Sequence, residues 1–140
     1  SNNKVSLSDP ILGQLGEINS SWVASFVPEM IEMLQKKSYW NEKRFVGFNL
    51  GQIGSKSPEL VKEAIPIMVK YIKENKTTQE IFGFDEKSWL KDGYIDALSM
   101  IALGDKSLLS EYKSLFEDIS KNEGSEYSRK KANAVLQLIS

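Results

Sequence analysis

One helical stretch decides the fold of this chain: Arg44-Phe45-Val46-Gly47-Phe48-Asn49-Leu50-Gly51-Gln52-Ile53-Gly54. Val46, Leu50 and Ile53 recur at steps of three and four, which is the spacing of one face of an α-helix. Gly47 and Gly51 recur at the same step. Glycine inside a helix costs roughly 0.5–1 kcal/mol relative to alanine, so the pair predicts that a neighbouring helix approaches closely.

The same pattern returns along the chain. Four segments superpose: Leu15-Gly16-Glu17-Ile18, Leu50-Gly51-Gln52-Ile53, Leu98-Ser99-Met100-Ile101 and Val135-Leu136-Gln137-Leu138. An insertion between the second and third segments accounts for their wider spacing. These segments predict four helices of one type, at about 9–18, 41–53, 89–103 and 126–139.

A second type of helix is predicted between them. Amphipathic apolar stripes run through residues 22–34, 58–74 and 106–121. Pro28 and Pro66 occupy equivalent positions in the first two, which indicates a tolerated bend, a late helix start or a coincidence. The turn at Gly104-Asp105 is short, so we expect adjacent helices to be antiparallel, and no segment predicts a strand.

Residues 44–54 resemble the first helix of a HEAT-like repeat of the phycobilin-lyase type, an armadillo-like helical repeat. Glu59 to Met68 is similar to the second helix of that family, whereas Asp9 and Asp92 replace the basic residue in other units. The resemblance implies an all-α, short right-handed α-α superhelix of about three and a half hairpins. We expect a single domain over residues 9–140 after a disordered segment 1–8. Its units are about 9–37, 38–75, 89–121 and 126–139, with an inserted loop at 76–88.

Composition narrows the possible chemistry. The 140 residues include no cysteine and no histidine, which removes disulfides, thiol nucleophiles and the commonest general base and metal ligand. The helically spaced pair Asp92 and Asp96 is interpreted as a solvated face. We expect no enzyme activity, no catalytic residues, no cofactor and no metal. The sequence contains no apolar run of membrane-spanning length, and a cytoplasmic protein is expected.

Two groups of residues are candidate binding sites. The inserted loop carries aromatic and acidic side chains suited to protein binding, or to folding back onto Trp89: Ile81, Phe82, Phe84, Asp85 and Glu86. Basic residues at the starts of two first-type helices are candidate phosphate contacts: Lys43, Arg44, Arg129 and Lys130.

The leading functional hypothesis is a non-enzymatic scaffold whose concave surface, lined by second helices, binds another protein or a peptide. One alternative is nucleic-acid binding, because Tyr39 to Arg44 resembles a segment of the HEAT-like alkylpurine DNA glycosylases. The formal net charge of −1 makes that alternative less favoured. The other is a structural subunit of an obligate oligomer. A homodimer through the terminal repeat, near Leu136 and Ile139, is a related possibility.

Overall fold

The protein is all-helical. The computed structural model describes residues 5–77 and 85–140. Within these ranges the chain forms eight α-helices and three short 3₁₀ helices, with no strand. This confirms the predicted all-α class.

The α-helices follow the predicted alternation of two types. The first type comprises α1 (Ile11–Ile18), α3 (Trp40–Lys56), α6 (Glu86–Gly104) and α8 (Glu126–Ile139). The second type comprises α2 (Val27–Gln35), α4 (Pro58–Val61), α5 (Ala64–Glu74) and α7 (Lys113–Asn122). The 3₁₀ helices Ser20–Trp22 and Ala24–Phe26 precede α2, and Lys106–Tyr112 precedes α7.

The first-type helices form one layer in chain order. Helix α1 packs against α3, α3 against α6, and α6 against α8. The second-type helices cover this layer: α2 contacts α3 and α5, α5 contacts α6, and α7 contacts α8. The core lies between the layers and contains fully buried side chains from both, among them Met30, Leu50, Met68, Leu98 and Phe116. We define the layer of α1, α3, α6 and α8 as the first-helix layer.

The glycines of α3 allow this layer to pack closely, as predicted. A Cβ atom on Gly51 would lie 2.9 Å from the Cα atom of Ala97 in α6. A Cβ on Gly47 would lie 3.1 Å from the ring of Tyr94. Both separations are shorter than ordinary van der Waals contact, so a larger residue at either position would force α6 or the Tyr94 ring to shift.

The prolines of the second layer mark late helix starts, one of the interpretations drawn from the sequence. Pro28 is the second residue of α2 and Pro66 the third residue of α5, where a helix does not use the backbone N–H. A proline ring clashes with the carbonyl four residues before it, which prevents one continuous helix over 58–74. The Ile65 N–H instead donates to the Lys62 carbonyl at 3.1 Å.

Two predicted boundaries need correction. Helix α6 begins at Glu86, inside the predicted loop 76–88, because the Asp85 carboxylate accepts a hydrogen bond from the Ser88 N–H at 3.0 Å and caps the helix. Part of the segment 1–8, predicted to be disordered, is held on α3, where the Asn49 amide donates to the Leu7 carbonyl at 3.0 Å. Residues 1–4 lie outside the described part.

Candidate functional site

Two interfaces of the first-helix layer, α1–α3 and α3–α6, share one direction. At each of them, a glycine of the earlier helix lies beside a large side chain of the later helix. The Ile53 side chain of α3 occupies the space beside Gly16 of α1. The Ile101 side chain of α6 does the same at Gly54, where an added Cβ would lie 2.7 Å from Ile101 Cγ1.

Helix α1 carries the large side chains but has no earlier helix to receive them within the described residues. The repeat alignment places Ile18 at the position of Ile53 and Ile101, which are both 0% exposed, yet Ile18 is 73% exposed. Ile11 lies one heptad earlier on the same face and is 46% exposed. We define Ile11 and Ile18 as the α1 end face. Trp22, in the turn after α1, is also exposed.

A groove lies in the outer surface of the first-helix layer, where the start of α1 meets α3 and α6. It encloses about 220 Å³ and is lined by Pro10, Arg44, Phe45, Phe48, Gly93 and Asp96. We define these residues as the Arg44 groove. Its walls are largely apolar, and both phenylalanines are more than 40% exposed.

Arg44 is fixed by α6. Its Nε donates to the Trp89 carbonyl at 3.1 Å, and its guanidinium carbon lies 4.9 Å from the centre of a Trp89 ring. A Cβ on Gly93 would lie 2.7 Å from Arg44 Cγ, so the missing side chain makes room for the arginine. Across the described ranges, no carboxylate oxygen lies within 4.0 Å of the Arg44 guanidinium nitrogens.

Two acidic side chains of α6, those of Asp92 and Asp96, interact with α8. Asp96 pairs with Lys131 at 3.0 Å and accepts a hydrogen bond from the Tyr127 hydroxyl. Burial and this hydrogen bond raise the pKa of Tyr127. Asp92 accepts from the Ser128 hydroxyl, and burial raises the pKa of the Asp92 carboxyl above its ordinary value. The negative charge of Asp96 at the groove is therefore offset by the positive charge of Lys131.

The second layer also has grooves between successive units. One, of about 290 Å³, separates α2 from α4 and includes Pro28, Ile31 and Leu60. Another, of about 410 Å³, includes Lys73, Tyr112 and Asp118. Both mix charged and apolar side chains. Binding along the second helices stays a prediction.

The predicted protein-binding residues lie around the start of α6. Asp85 is the helix cap, and its hydrogen bonds with Ser88 lower the pKa of the Asp85 carboxyl. Glu86 is exposed in the first turn. Ile81, Phe82 and Phe84 lie outside the described residues.

The four predicted phosphate contacts do not form one group. Lys43 and Arg44 lie on α3, whereas Arg129 and Lys130 lie on α8, with α6 and its aspartates between these helices. Arg129 donates to the Glu123 carbonyl at 2.6 Å, and Lys130 pairs with Glu126 at 3.2 Å. Of the four, Arg44 alone lines the Arg44 groove.

The sequence reasoning missed two buried polar residues. Asn49, fully buried, donates to the carbonyls of Leu7 and Asp9 and accepts from the Gly13 N–H, which fastens the start of α1 to α3. Lys91, also fully buried, forms an ion pair with Glu123. The position of Asn49 in its helix could have revealed its burial, because Asn49 lies in the apolar stripe of Val46 and Ile53.

Within the described ranges, no group of three or more His, Cys, Asp or Glu side chains is placed to hold a metal ion. No helix in those ranges is both long and apolar enough to cross a membrane. No family model, curated protein or solved structure matches the chain. The resemblance to HEAT-like repeats therefore stays a prediction.

Proposed function

We propose that this chain is a non-enzymatic interaction module that binds another protein in the cytoplasm through its α1 end face. The proposal is carried by the exposure of Ile18 at a repeat position where Ile53 and Ile101 are fully buried. Large apolar side chains grouped on a surface mark interaction sites. Here the internal repeats also indicate what kind of surface covers them.

The partner surface is inferred from the two internal joints. Gly16 receives Ile53, and Gly54 receives Ile101, so a side chain at this position packs into a helix that carries small residues. By the same geometry, Ile18 fits a partner helix with glycine, alanine or serine three or four positions apart. Complete burial of an isoleucine side chain is worth about 1.5–3 kcal/mol, which makes Ile18 a principal contributor to binding.

Ile18→Lys is the variant that tests this surface. Ile18 is mostly exposed at the end of α1, so its substitution changes the free energy of unfolding by less than about 0.5 kcal/mol. The matched control is Leu103→Lys, because Leu103 is 66% exposed near the end of α6. Both variants add one positive charge and remove one exposed apolar side chain.

The experiment is affinity purification of wild type and both variants from extract of the source cells, with nuclease, at about 150 mM salt, where surface charge interactions are screened. We expect a stoichiometric protein to co-purify with wild type and with Leu103→Lys, and to be lost with Ile18→Lys. Equal retention by all three proteins would contradict the proposal. Recovery of nucleic acid in place of protein when nuclease is omitted would favour the nucleic-acid alternative.

Light scattering on the purified chain tests the obligate-oligomer alternative. A monomer supports an adaptor for a different protein. An oligomer that persists in Ile18→Lys would contradict the α1 end face as the principal interface.

A further inference from the structure

We propose that the Arg44 groove is a second binding site, for a peptide segment in which a bulky apolar side chain stands next to a carboxylate. The proposal does not depend on the α1 end face. Both the size and the charge of the groove support this ligand class.

The apolar part of the groove fits one large side chain. A cavity of about 150 Å³ lined by apolar side chains holds a benzene molecule, and the Arg44 groove encloses about 220 Å³. Phe45 and Phe48 each keep more than 40% of their surface exposed on its walls, and Pro10 contributes a third apolar surface. An aromatic or branched aliphatic side chain would cover this surface.

The charge at the groove favours an anion. The Nε of Arg44 donates to the Trp89 carbonyl, and the cation–π contact with the Trp89 ring restrains the guanidinium further. No carboxylate lies within 4.0 Å of the guanidinium nitrogens in the part of the chain described. Asp96, the acidic residue on the lining, is already paired with Lys131. A guanidinium held in this way binds a carboxylate in a fixed geometry.

Two small probes separate the apolar and the charged contributions. N-acetyl-L-phenylalanine carries the ring and a carboxylate, whereas N-acetyl-L-phenylalaninamide carries the same ring without the charge. Each is titrated into ¹⁵N-labelled protein while backbone amide shifts are followed by NMR. We expect the acid to bind with a Kd of about 1 mM, a level at which one side-chain anchor and one ion pair suffice. We expect the amide to bind about tenfold more weakly.

The shifts should lie on residues 45–48 and 93–96, the segments of α3 and α6 that contain Phe45, Phe48, Gly93 and Asp96 of the groove lining. In Arg44→Gln the acid should lose its advantage and bind within about twofold of the amide. Phe48→Ala should weaken both probes by a similar factor. Lys130→Gln serves as the matched control, because Lys130 is exposed and paired with Glu126, and it should leave both affinities unchanged.

Several results would overturn the proposal. Equal affinity of wild type for the two probes would show that Arg44 contributes no carboxylate selectivity. Shifts confined to other helices would place the ligand elsewhere. Tighter binding of the dinucleotide d(TpT) than of N-acetyl-L-phenylalanine would replace a peptide with a nucleic acid. If Arg44→Gln fails to fold, the acid-to-amide ratio in wild type decides the question.

Discussion

The buried ion pair of Lys91 and Glu123 gives the largest stability effect that we predict from a single substitution. Their side chains are 0% and 3% exposed, and Lys91 Nζ also donates to the Asn75 carbonyl at 3.0 Å. Replacing Glu123 with Gln keeps the shape but leaves the ammonium without its counter-charge. Breaking one partner of a buried pair costs about 3–5 kcal/mol, a large share of the 5–15 kcal/mol that stabilises a typical domain.

The double variant Lys91→Met with Glu123→Gln removes both charges together. Replacing both members of a buried pair is often close to neutral, so we expect this variant to unfold within about 1 kcal/mol of wild type. Each single variant should therefore be less stable than the double variant. This order is the signature of strong coupling between the two side chains.

The assay is equilibrium urea unfolding at pH 7, followed by far-ultraviolet circular dichroism, with the free energy of unfolding obtained by linear extrapolation. The control is Glu32→Gln, because Glu32 and its partner Lys36 are both more than 60% exposed. Glu32→Gln should cost about 0.5 kcal/mol or less. If Glu123→Gln is no more destabilising than this control, the inferred burial of the pair is wrong.

Three further predictions follow from the packing of the first-helix layer. Gly51→Ala should lower the free energy of unfolding by about 1–2 kcal/mol in urea titrations, because the new Cβ atom would contact the Ala97 backbone. Gly93→Ala should lower it by less, since the new Cβ atom would contact the flexible Arg44 side chain. A larger loss for Gly93→Ala would contradict this reasoning. Asn49→Leu should lower the free energy of unfolding by about 2–4 kcal/mol, because the Gly13 N–H and two carbonyls lose their hydrogen-bond partner. It should also increase amide hydrogen exchange at the start of α1, and unchanged exchange there would argue against the Asn49 contacts. Because burial raises the pKa of Asp92, wild type should lose stability relative to Asp92→Asn as the pH rises from about 4 to 7. Thermal melts at both pH values measure this, and the opposite trend would refute it.

The repeat made much of the fold predictable. The pattern of Leu50, Gly51 and Ile53 recurs with the same spacing in α1, and this recurrence predicted the helices of the first layer. The pair Gly47 and Gly51 predicted the close approach of a neighbouring helix. A late helix start was one of the three interpretations of Pro28 and Pro66, and it could be considered from sequence because proline imposes a local steric rule. Helix periodicity, glycine spacing and the effect of proline all depend on residues that are close together in the sequence.

The candidate sites were less predictable because they depend on neighbours in space. Ile18 and Ile53 are the same residue type at the same repeat position, and their exposure differs because an earlier helix packs against Ile53 but not against Ile18 among the described residues. The sequence suggested Arg44 as a phosphate contact from its place at a helix start, but it could not show the contact with Trp89, which lies 45 positions away. The buried pair of Lys91 and Glu123 joins residues 32 positions apart, and periodicity cannot identify such a partner.

Amide hydrogen exchange on the complex between this chain and its co-purified partner tests the central claim most directly. Exchange is compared for the free and bound chain, peptide by peptide. We predict that binding slows exchange in the peptides that cover α1 and the following turn, residues 11–22, and that Ile18→Lys abolishes this protection. Protection confined to the second helices α2, α5 and α7, with residues 11–22 unchanged, would contradict the account.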